Sequence, residues 1–160
     1  VRGLIDLSRS LSLPVIYTRV ETDPELPLPP ERAAFLHRGT EPPRCVKGTR
    51  DADILDELAP KPNDQIISKV RSSAFYGTRM EALLRIKNRW IVLVVGGSTN
   101  WGVEWLARDA KTRDIVPVVI RDCTYSWTEE AKAQSLDVID NFIGYVLDCE
   151  DVRQMLSKVK

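Results

Sequence analysis

Two stretches of the 160-residue sequence contain residue types suited to chemistry. The first is QIISKVRSSAFYGT, in which Lys69 closes an apolar run and is followed by a polar loop. A lysine in this position can be a strand-end side chain whose amine reaches solvent. It can equally be a cation held beside a carboxylate or a substrate anion in a partly dry cleft. The residues alone leave both interpretations open.

The second stretch, GGSTNWGVEWLARDA, follows the apolar run IVLVV. Its paired glycines, Gly96 and Gly97, permit a backbone geometry that other residues resist. The amides of residues 99–103 lie where a helix is predicted to begin, and such amides can bind an anion or a developing oxyanion. A plain tight turn between a strand and a helix is the alternative, and a glycine pair alone does not decide between the two.

These stretches must be positioned by alternating strands and helices. The predicted helices cover 1–11, 79–86, 103–112, 128–141 and 152–160, with a helical turn at 53–58, and the predicted strands are SLPVIYTRV, QIISKV, IVLVV, VPVVIRD and IGYVLD. This alternation is typical of an α/β fold with a mostly parallel sheet and helices on both faces. IVLVV is apolar at every position, so we expect both of its faces to be covered. Ligands of such folds bind at the carboxyl ends of the strands, here 17–19, 69–75, 96–102 and 122–127.

Composition excludes several classes of partner. Lysine plus arginine and aspartate plus glutamate are equal at 23 each, so no global charge favours nucleic acid or an anionic membrane. No apolar run approaches the roughly 20 residues that span a bilayer. We therefore expect one cytoplasmic domain over residues 1–160 that binds neither nucleic acid nor a membrane.

The cysteines and the histidine predict no cofactor and no metal site. Cys45, Cys123 and Cys149 are scattered without CxxC spacing, which favours reduced thiols over a disulfide framework. His37 lies in the proline-rich segment 21–50, where a short helix around Glu31–His37 is predicted. It is expected to be a surface or rim residue rather than a catalytic base or a metal ligand.

The quoted motifs resemble the isochorismatase-like hydrolases. GGSTNWGVEWLARDA is similar to that family's strand-to-helix motif, and DQIISKVRSSAFYGT to its lysine motif. LPVIYTRV, GTRDADILDELAPKPND and IVPVVIRDC match further segments in the same order. The resemblance extends over most of the chain. It implies a three-layer α/β/α fold with a six-stranded sheet, and a homodimer or homotetramer.

The resemblance also implies site residues. Cysteine hydrolases of the family use an Asp–Lys–Cys triad and a covalent thioester, and here Lys69 occupies the lysine position. Gly102 occupies the cysteine position, so the nucleophile of that mechanism is absent there. The Gly97–Ser98 peptide matches a position that is often cis. The family's aspartate ends a first strand that these residues lack, so we expect that strand and an aspartate to precede Val1.

The family includes a branch with glycine at the same position, the isochorismatases, which hydrolyse a vinyl ether without a nucleophilic side chain. An aspartic acid balanced by Lys69 would protonate the substrate, and water would add. Val70 and Ser72 replace aromatic residues of that branch, which argues against isochorismate itself. Arg71 is kept and can pair with a carboxylate. The other expected substrate-binding residues are Phe75, Gly97, Ser98, Asn100 and Trp101.

Three hypotheses follow from the sequence. The first is a non-thiol hydrolase of a small carboxylated or carbonyl-containing metabolite. The second is a catalytically inactive relative that serves as a binding or assembly subunit. The third is a cysteine hydrolase whose thiol comes from elsewhere, with Cys123 as the candidate because it follows a strand end. Trp101 and Trp105 either narrow the pocket or pack against a second subunit.

Overall fold

A computed structural model describes residues 1–23, 25 and 44–158. In chain order the elements are α1 (Arg2–Ser10), β1 (Ile16–Val20), two 3-10 turns (Arg50–Ala52 and Asp56–Leu58), β2 (Gln65–Lys69), α2 (Met80–Ile86), β3 (Ile91–Gly97), a π-helical turn (Thr99–Val103), α3 (Glu104–Lys111), β4 (Val116–Tyr125), α4 (Glu129–Val138), a second π-helical turn (Ile139–Ile143), β5 (Tyr145–Leu147) and α5 (Cys149–Ser157). The predicted alternation of strands and helices is confirmed. Residues 31–37, with His37, lie outside the described residues.

Strands in the described part of the chain form two parallel sheets rather than one. β1 pairs with β2, from Ile16 opposite Gln65 to Val20 opposite Lys69. The second sheet has the order β3-β4-β5. Between Val94 and Gly96 on β3 the partner residue on β4 moves from Val119 to Thr124, so β4 is irregular over this stretch. The α/β class with parallel strands is confirmed, and five of the six expected strands are present among the described residues.

Helices cover both faces of the β3-β4-β5 sheet, as the alternation of β4 shows. Val119 points into a core cluster that includes Leu84, Leu106, Ala107 and Ile139, from the side of α2, α3 and α4. Val118 and Ile120 point the other way, into a cluster with Leu4 of α1 and Val152 of α5. Because residues i and i+2 of a strand share a face, these two clusters lie on opposite faces of the sheet, each between the sheet and a layer of helices.

Several boundaries differ from the sequence prediction. Both faces of IVLVV are covered as predicted, since Val92 and Val94 pack into one core cluster and Leu93 and Val95 into the other, while the first residue, Ile91, is 62% exposed. The helix predicted over 128–141 ends its α-helical part at Val138, and α5 begins at Cys149 instead of residue 152. Asp148 precedes α5 as its N-cap residue, and aspartate favours that position. No helix in the described part is both long and apolar enough to cross a membrane.

Candidate functional site

Lys69 ends β2 as a buried cation. Only 8% of the Lys69 surface is exposed to solvent. The Nζ donates hydrogen bonds to the carbonyl oxygens of Arg71, at 3.0 Å, and Ser72, at 2.8 Å. Burial lowers the pKa of Lys69 from its ordinary value of 10.5, and the charge of a thiolate at Cys45 would act in the opposite direction. Lys69 is therefore a proton-bearing group whose charge is held mainly by backbone carbonyls.

Gly102 lies beside this amine. A Cβ placed on Gly102 would be 4.0 Å from Lys69 Nζ and 3.7 Å from the carbonyl oxygens of both Gly97 and Ser72. These are ordinary van der Waals separations, so the position can accept a side chain without a clash. The lysine motif and the glycine motif, which are separated in sequence, thus meet in one place, which we call the Lys69 cleft.

The turn between β3 and α3 forms one wall of the cleft. The Gly97–Ser98 peptide is cis, as the resemblance implies. A Cβ on Gly97 would overlap the ring of Tyr125, so the close approach of that ring requires glycine here. The fully buried Thr99 donates its hydroxyl hydrogen bond to the Tyr125 carbonyl at 2.9 Å. The end of β4 therefore holds the turn in place.

Ser98 and Asn100 belong to a small hydrogen-bond network on this wall. The Asn100 side-chain oxygen accepts from the hydroxyls of both Ser98 and Ser126, the latter at 2.9 Å. The Asn100 backbone N–H donates to the Ser126 hydroxyl at 3.3 Å. The backbone N–H of Val103 donates to the Ser98 carbonyl at 3.2 Å, which closes the π-helical turn. The network fixes Ser98 and Asn100 against the segment that follows β4.

Arg71 and Trp101 are less constrained. Arg71 donates from its guanidinium to the carbonyl of the adjacent Val70 at 2.9 Å. Trp101 is 60% exposed and directly precedes Gly102. Both side chains can reorient toward a bound molecule, because neither is packed in the core.

Phe75, which is predicted to bind substrate, is more buried than the other residues of that group. Its ring lies in the core cluster with Ile67 and Val94. The Arg113 guanidinium, from the segment after α3, stacks over the ring at 5.0 Å from its centroid. Contact of Phe75 with a substrate stays a prediction.

The cysteines are also arranged differently from the sequence hypothesis. Cys123 is buried in the α1–α5 cluster, where its side-chain neighbours include Cys149. A negative charge on a sulfur near Lys69 would raise the pKa of the amine, and the cysteine in that position is Cys45. Its carbonyl accepts from Thr22 N at 2.8 Å, whereas Glu21 N donates to Lys69 O at 2.9 Å. Because successive residues of an extended strand alternate in direction, the Cys45 segment lies across the end of β1 from β2.

Sequence reasoning missed Cys45 because no motif surrounds it. It lies within the proline-rich segment 21–50, and only the pairing of Thr22 with Val46 brings it to the end of β1. A long-range pairing of this kind has no signature in local sequence.

The sequence and the fold of this chain are similar to those of known proteins. The family model described as the isochorismatase domain matches residues 1–151. A cysteine hydrolase from Pseudomonas syringae pv. phaseolicola has the same fold with a TM-score of 0.85 at 20% identity, covering 98% of this chain and 78% of that one. An isochorismatase family protein from Burkholderia thailandensis has a TM-score of 0.82 at 25% identity, covering 98% of this chain and 80% of that one. A nicotinamidase/pyrazinamidase from Bacillus subtilis has a TM-score of 0.81 at 22% identity, covering 92% of this chain and 81% of that one.

Proposed function

The chain belongs to the isochorismatase family, and on this basis we propose that it hydrolyses a small carboxylated or carbonyl-containing metabolite without a covalent thioester. Family membership supports hydrolysis of a small metabolite as the class of activity. One observation supports the more specific proposal that no thiol of the π-helical turn before α3 attacks the substrate. Gly102 leaves the space beside Lys69 Nζ open, with its Cβ position 4.0 Å from that nitrogen.

A mechanism without a nucleophilic side chain needs an acid, a water molecule and an electrostatic partner for the charges that develop. For an enol-ether substrate, the acid would protonate the vinylic carbon, and water would add to the resulting oxocarbenium ion. The hemiketal formed in this way breaks down to a ketone and an alcohol. Lys69 is the electrostatic partner in this proposal. The acid in this proposal is a carboxylic acid, the role that the family resemblance gives to an aspartate.

Substrate binding is assigned to the wall of the cleft. Arg71 can form a charge-assisted pair with a substrate carboxylate, and the side chain of Asn100 and the hydroxyl of Ser98 can contact a carbonyl or a hydroxyl group. Trp101 offers an apolar ring at the rim. Because Lys69 and Arg71 are both cationic, an anionic substrate fits this cleft better than a cationic one.

A second candidate function is supported by Cys45. Cys45 lies close enough to Lys69 that a negative charge on its sulfur would raise the pKa of the lysine. In this alternative the thiol attacks an amide or ester carbonyl, the acyl group is transferred to sulfur with release of the amine or alcohol, and water then hydrolyses the thioester. The nicotinamidase among the similar structures is an amide-cleaving protein by name, which makes amides necessary members of any substrate panel.

One set of assays separates these mechanisms. Wild type, Cys45→Ser and Lys69→Met are tested on vinyl ethers, amides and esters that carry a carboxylate, with Lys87→Met as a control for an exposed lysine. The non-thiol proposal expects turnover in wild type and in Cys45→Ser, and a loss of about a hundredfold in kcat/KM in Lys69→Met. The Lys87→Met variant should retain its activity.

Intact mass measured during turnover supplies the second readout. An acyl adduct on Cys45, lost together with activity in Cys45→Ser, would replace the first proposal by the second. A folded wild-type protein that turns over no member of the panel, yet binds one of them, would instead support the inactive-relative hypothesis.

A further inference from the structure

A second group of reactive side chains lies outside the Lys69 cleft. A carboxylate oxygen of Asp122 and the Sγ atoms of Cys123 and Cys149 all lie within 4.8 Å of one another. The sequence analysis expects no metal site, because it looks for closely spaced cysteines and for histidines. The fold brings together two cysteines that are far apart in sequence.

The β4–α5 junction explains how these three residues meet. β4 and β5 are parallel neighbours, with Ile120 opposite Leu147. Asp122 and Cys123 follow Ile120 within the irregular stretch of β4, and α5 begins at Cys149, soon after Leu147. The backbone N–H of Cys149 donates to Asp122 Oδ1 at 2.8 Å, which fixes the start of α5 to the carboxylate. Irregular strand segments commonly redirect side chains in this way.

The donor set and its spacing fit a thiophilic divalent cation. Zinc–sulfur bonds of about 2.3 Å in a tetrahedral site place two sulfurs about 3.8 Å apart, and zinc–carboxylate bonds are slightly shorter. The distances between the three donor atoms therefore need to shorten by only about 1 Å to match those in a zinc site. Two thiolates select zinc or cadmium over magnesium or calcium, and a water molecule would complete four ligands. Binding would release the two thiol protons to solvent.

Burial and charge at this place also suit a cation. Cys123 is buried and Cys149 is half-buried, so the sulfurs are shielded, while the exposed Asp122 leaves a path from solvent. Asp148 forms an exposed ion pair with Arg121 at 3.6 Å and flanks the cluster. We propose that Asp122, Cys123 and Cys149 bind one thiophilic divalent cation, which links the end of β4 to the start of α5.

The test uses cobalt as a spectroscopic substitute for zinc. Protein kept reduced with a phosphine and freed of metal is titrated with Co²⁺, and zinc binding is measured by displacement of cobalt. The expected result is one cobalt per chain, with thiolate-to-cobalt absorption in the near ultraviolet, and a higher midpoint of thermal unfolding in the presence of zinc. This result does not depend on any hydrolytic activity.

Variants identify the ligands. Cys149→Ser and Asp122→Asn should each weaken the affinity by about tenfold or more, whereas Cys45→Ser, which removes a thiol elsewhere, should leave affinity and spectrum unchanged. Cys149 and Asp122 are used because neither is fully buried, so the variants are expected to fold; circular dichroism checks this. Absence of cobalt binding by folded, reduced wild type would overturn the proposal. So would a thiolate spectrum that persists in Cys149→Ser, or a Cys123–Cys149 disulfide that withstands the phosphine.

Discussion

At the scale of single residues, the space between Lys69 and Gly102 determines which chemistry the cleft can support. The amine is buried and directed at two carbonyls, and the neighbouring position has room for a side chain that the sequence does not supply. A cation without a nucleophile beside it can stabilise a developing negative charge or an ionised acid. It cannot by itself form an acyl intermediate.

Gly102→Cys is the most direct test of this geometry. A Cβ at this position meets its neighbours at 3.7–4.0 Å, so we expect the variant to fold. The introduced thiol would lie near the Lys69 ammonium group, which favours the thiolate. In a Cys45→Ser background, iodoacetamide should label residue 102 faster than Cys123 or Cys149, as measured by peptide mass spectrometry. Gly102→Ser in the same background is the control, and equal labelling of the two variants would contradict the proposed arrangement.

The lowered pKa of Lys69 predicts a pH dependence of stability. Between its pKa in the folded protein and 10.5, the unfolded chain holds a proton that the folded protein has released. The free energy of unfolding of wild type should therefore rise with pH through this window, relative to that of Lys69→Met. Denaturant unfolding of both proteins at neutral pH and at about pH 10 measures the difference. A difference that stays constant or falls with pH would show that burial does not destabilise the charged amine.

Residue identities in the cleft were predictable where a motif carried them. Lys69 and Gly102 each stand in a recognisable stretch, and their contact follows from the rule that parallel strands present their carboxyl ends at one edge. Phe75 stands in the same stretch as Lys69, yet an aromatic residue satisfies a core position and a pocket wall equally well in sequence. Its packing under Arg113 depends on a contact with the end of a distant helix.

At the scale of elements, the π-helical turn after β3 positions the residues of the cleft wall. Thr99 connects this turn to the last residue of β4 through a buried hydrogen bond. The turn also contains the i to i−5 bond from Val103 to Ser98. Wider turns of this kind are frequent at functional sites, and no propensity argument predicts them, because the same residues can form an ordinary α-helical turn.

Thr99→Val tests this connection. Valine has nearly the same shape but cannot donate to the Tyr125 carbonyl, so we expect the free energy of unfolding to fall by about 1 kcal/mol. Because the turn carries Asn100 and Trp101, kcat/KM should fall as well. Thr112→Val, at an exposed position after α3, removes a hydroxyl that donates to the local Asp109 carbonyl and accepts from the adjacent Arg113 at 3.3 Å, and it should have a smaller effect on both. Equal effects in the two variants would argue against a special role for Thr99.

The order of strands and helices was predictable from apolar periodicity, and their ends were less so. α5 begins three residues earlier than predicted, at Cys149, whose N–H donates to Asp122 Oδ1. The apolar spacing used for the prediction does not reveal this contact between distant residues. β3 is covered on both faces as its composition predicts, but which strand pairs with it is a long-range property that composition does not give. The same reason hid the irregular stretch of β4.

At the scale of the whole molecule, exposed indoles indicate a contact surface. Trp101 and Trp105 are 60% and 54% exposed and stand four residues apart on consecutive helical turns, and exposed apolar surface of this kind is characteristic of interfaces. We expect a homodimer or homotetramer that buries Trp105. Trp105→Lys should shift the mass measured by light scattering toward the monomer. Trp90→Lys is the control, since Trp90 is 43% exposed but lies at the start of β3. A monomeric wild type would refute the expectation.

The candidate site spans two separately hydrogen-bonded units. Lys69 belongs to the two-stranded sheet and Gly102 follows a strand of the three-stranded one. An isolated pair of strands is marginally stable, so backbone amides of β2 should exchange with deuterium sooner than those of β4. A molecule that contacts both Lys69 and the Gly97–Gly102 backbone would then fasten the weaker unit to the stronger one. Ligand screening by deuterium exchange, with protection of β2 as the signal, can therefore find the substrate before any reaction has been observed.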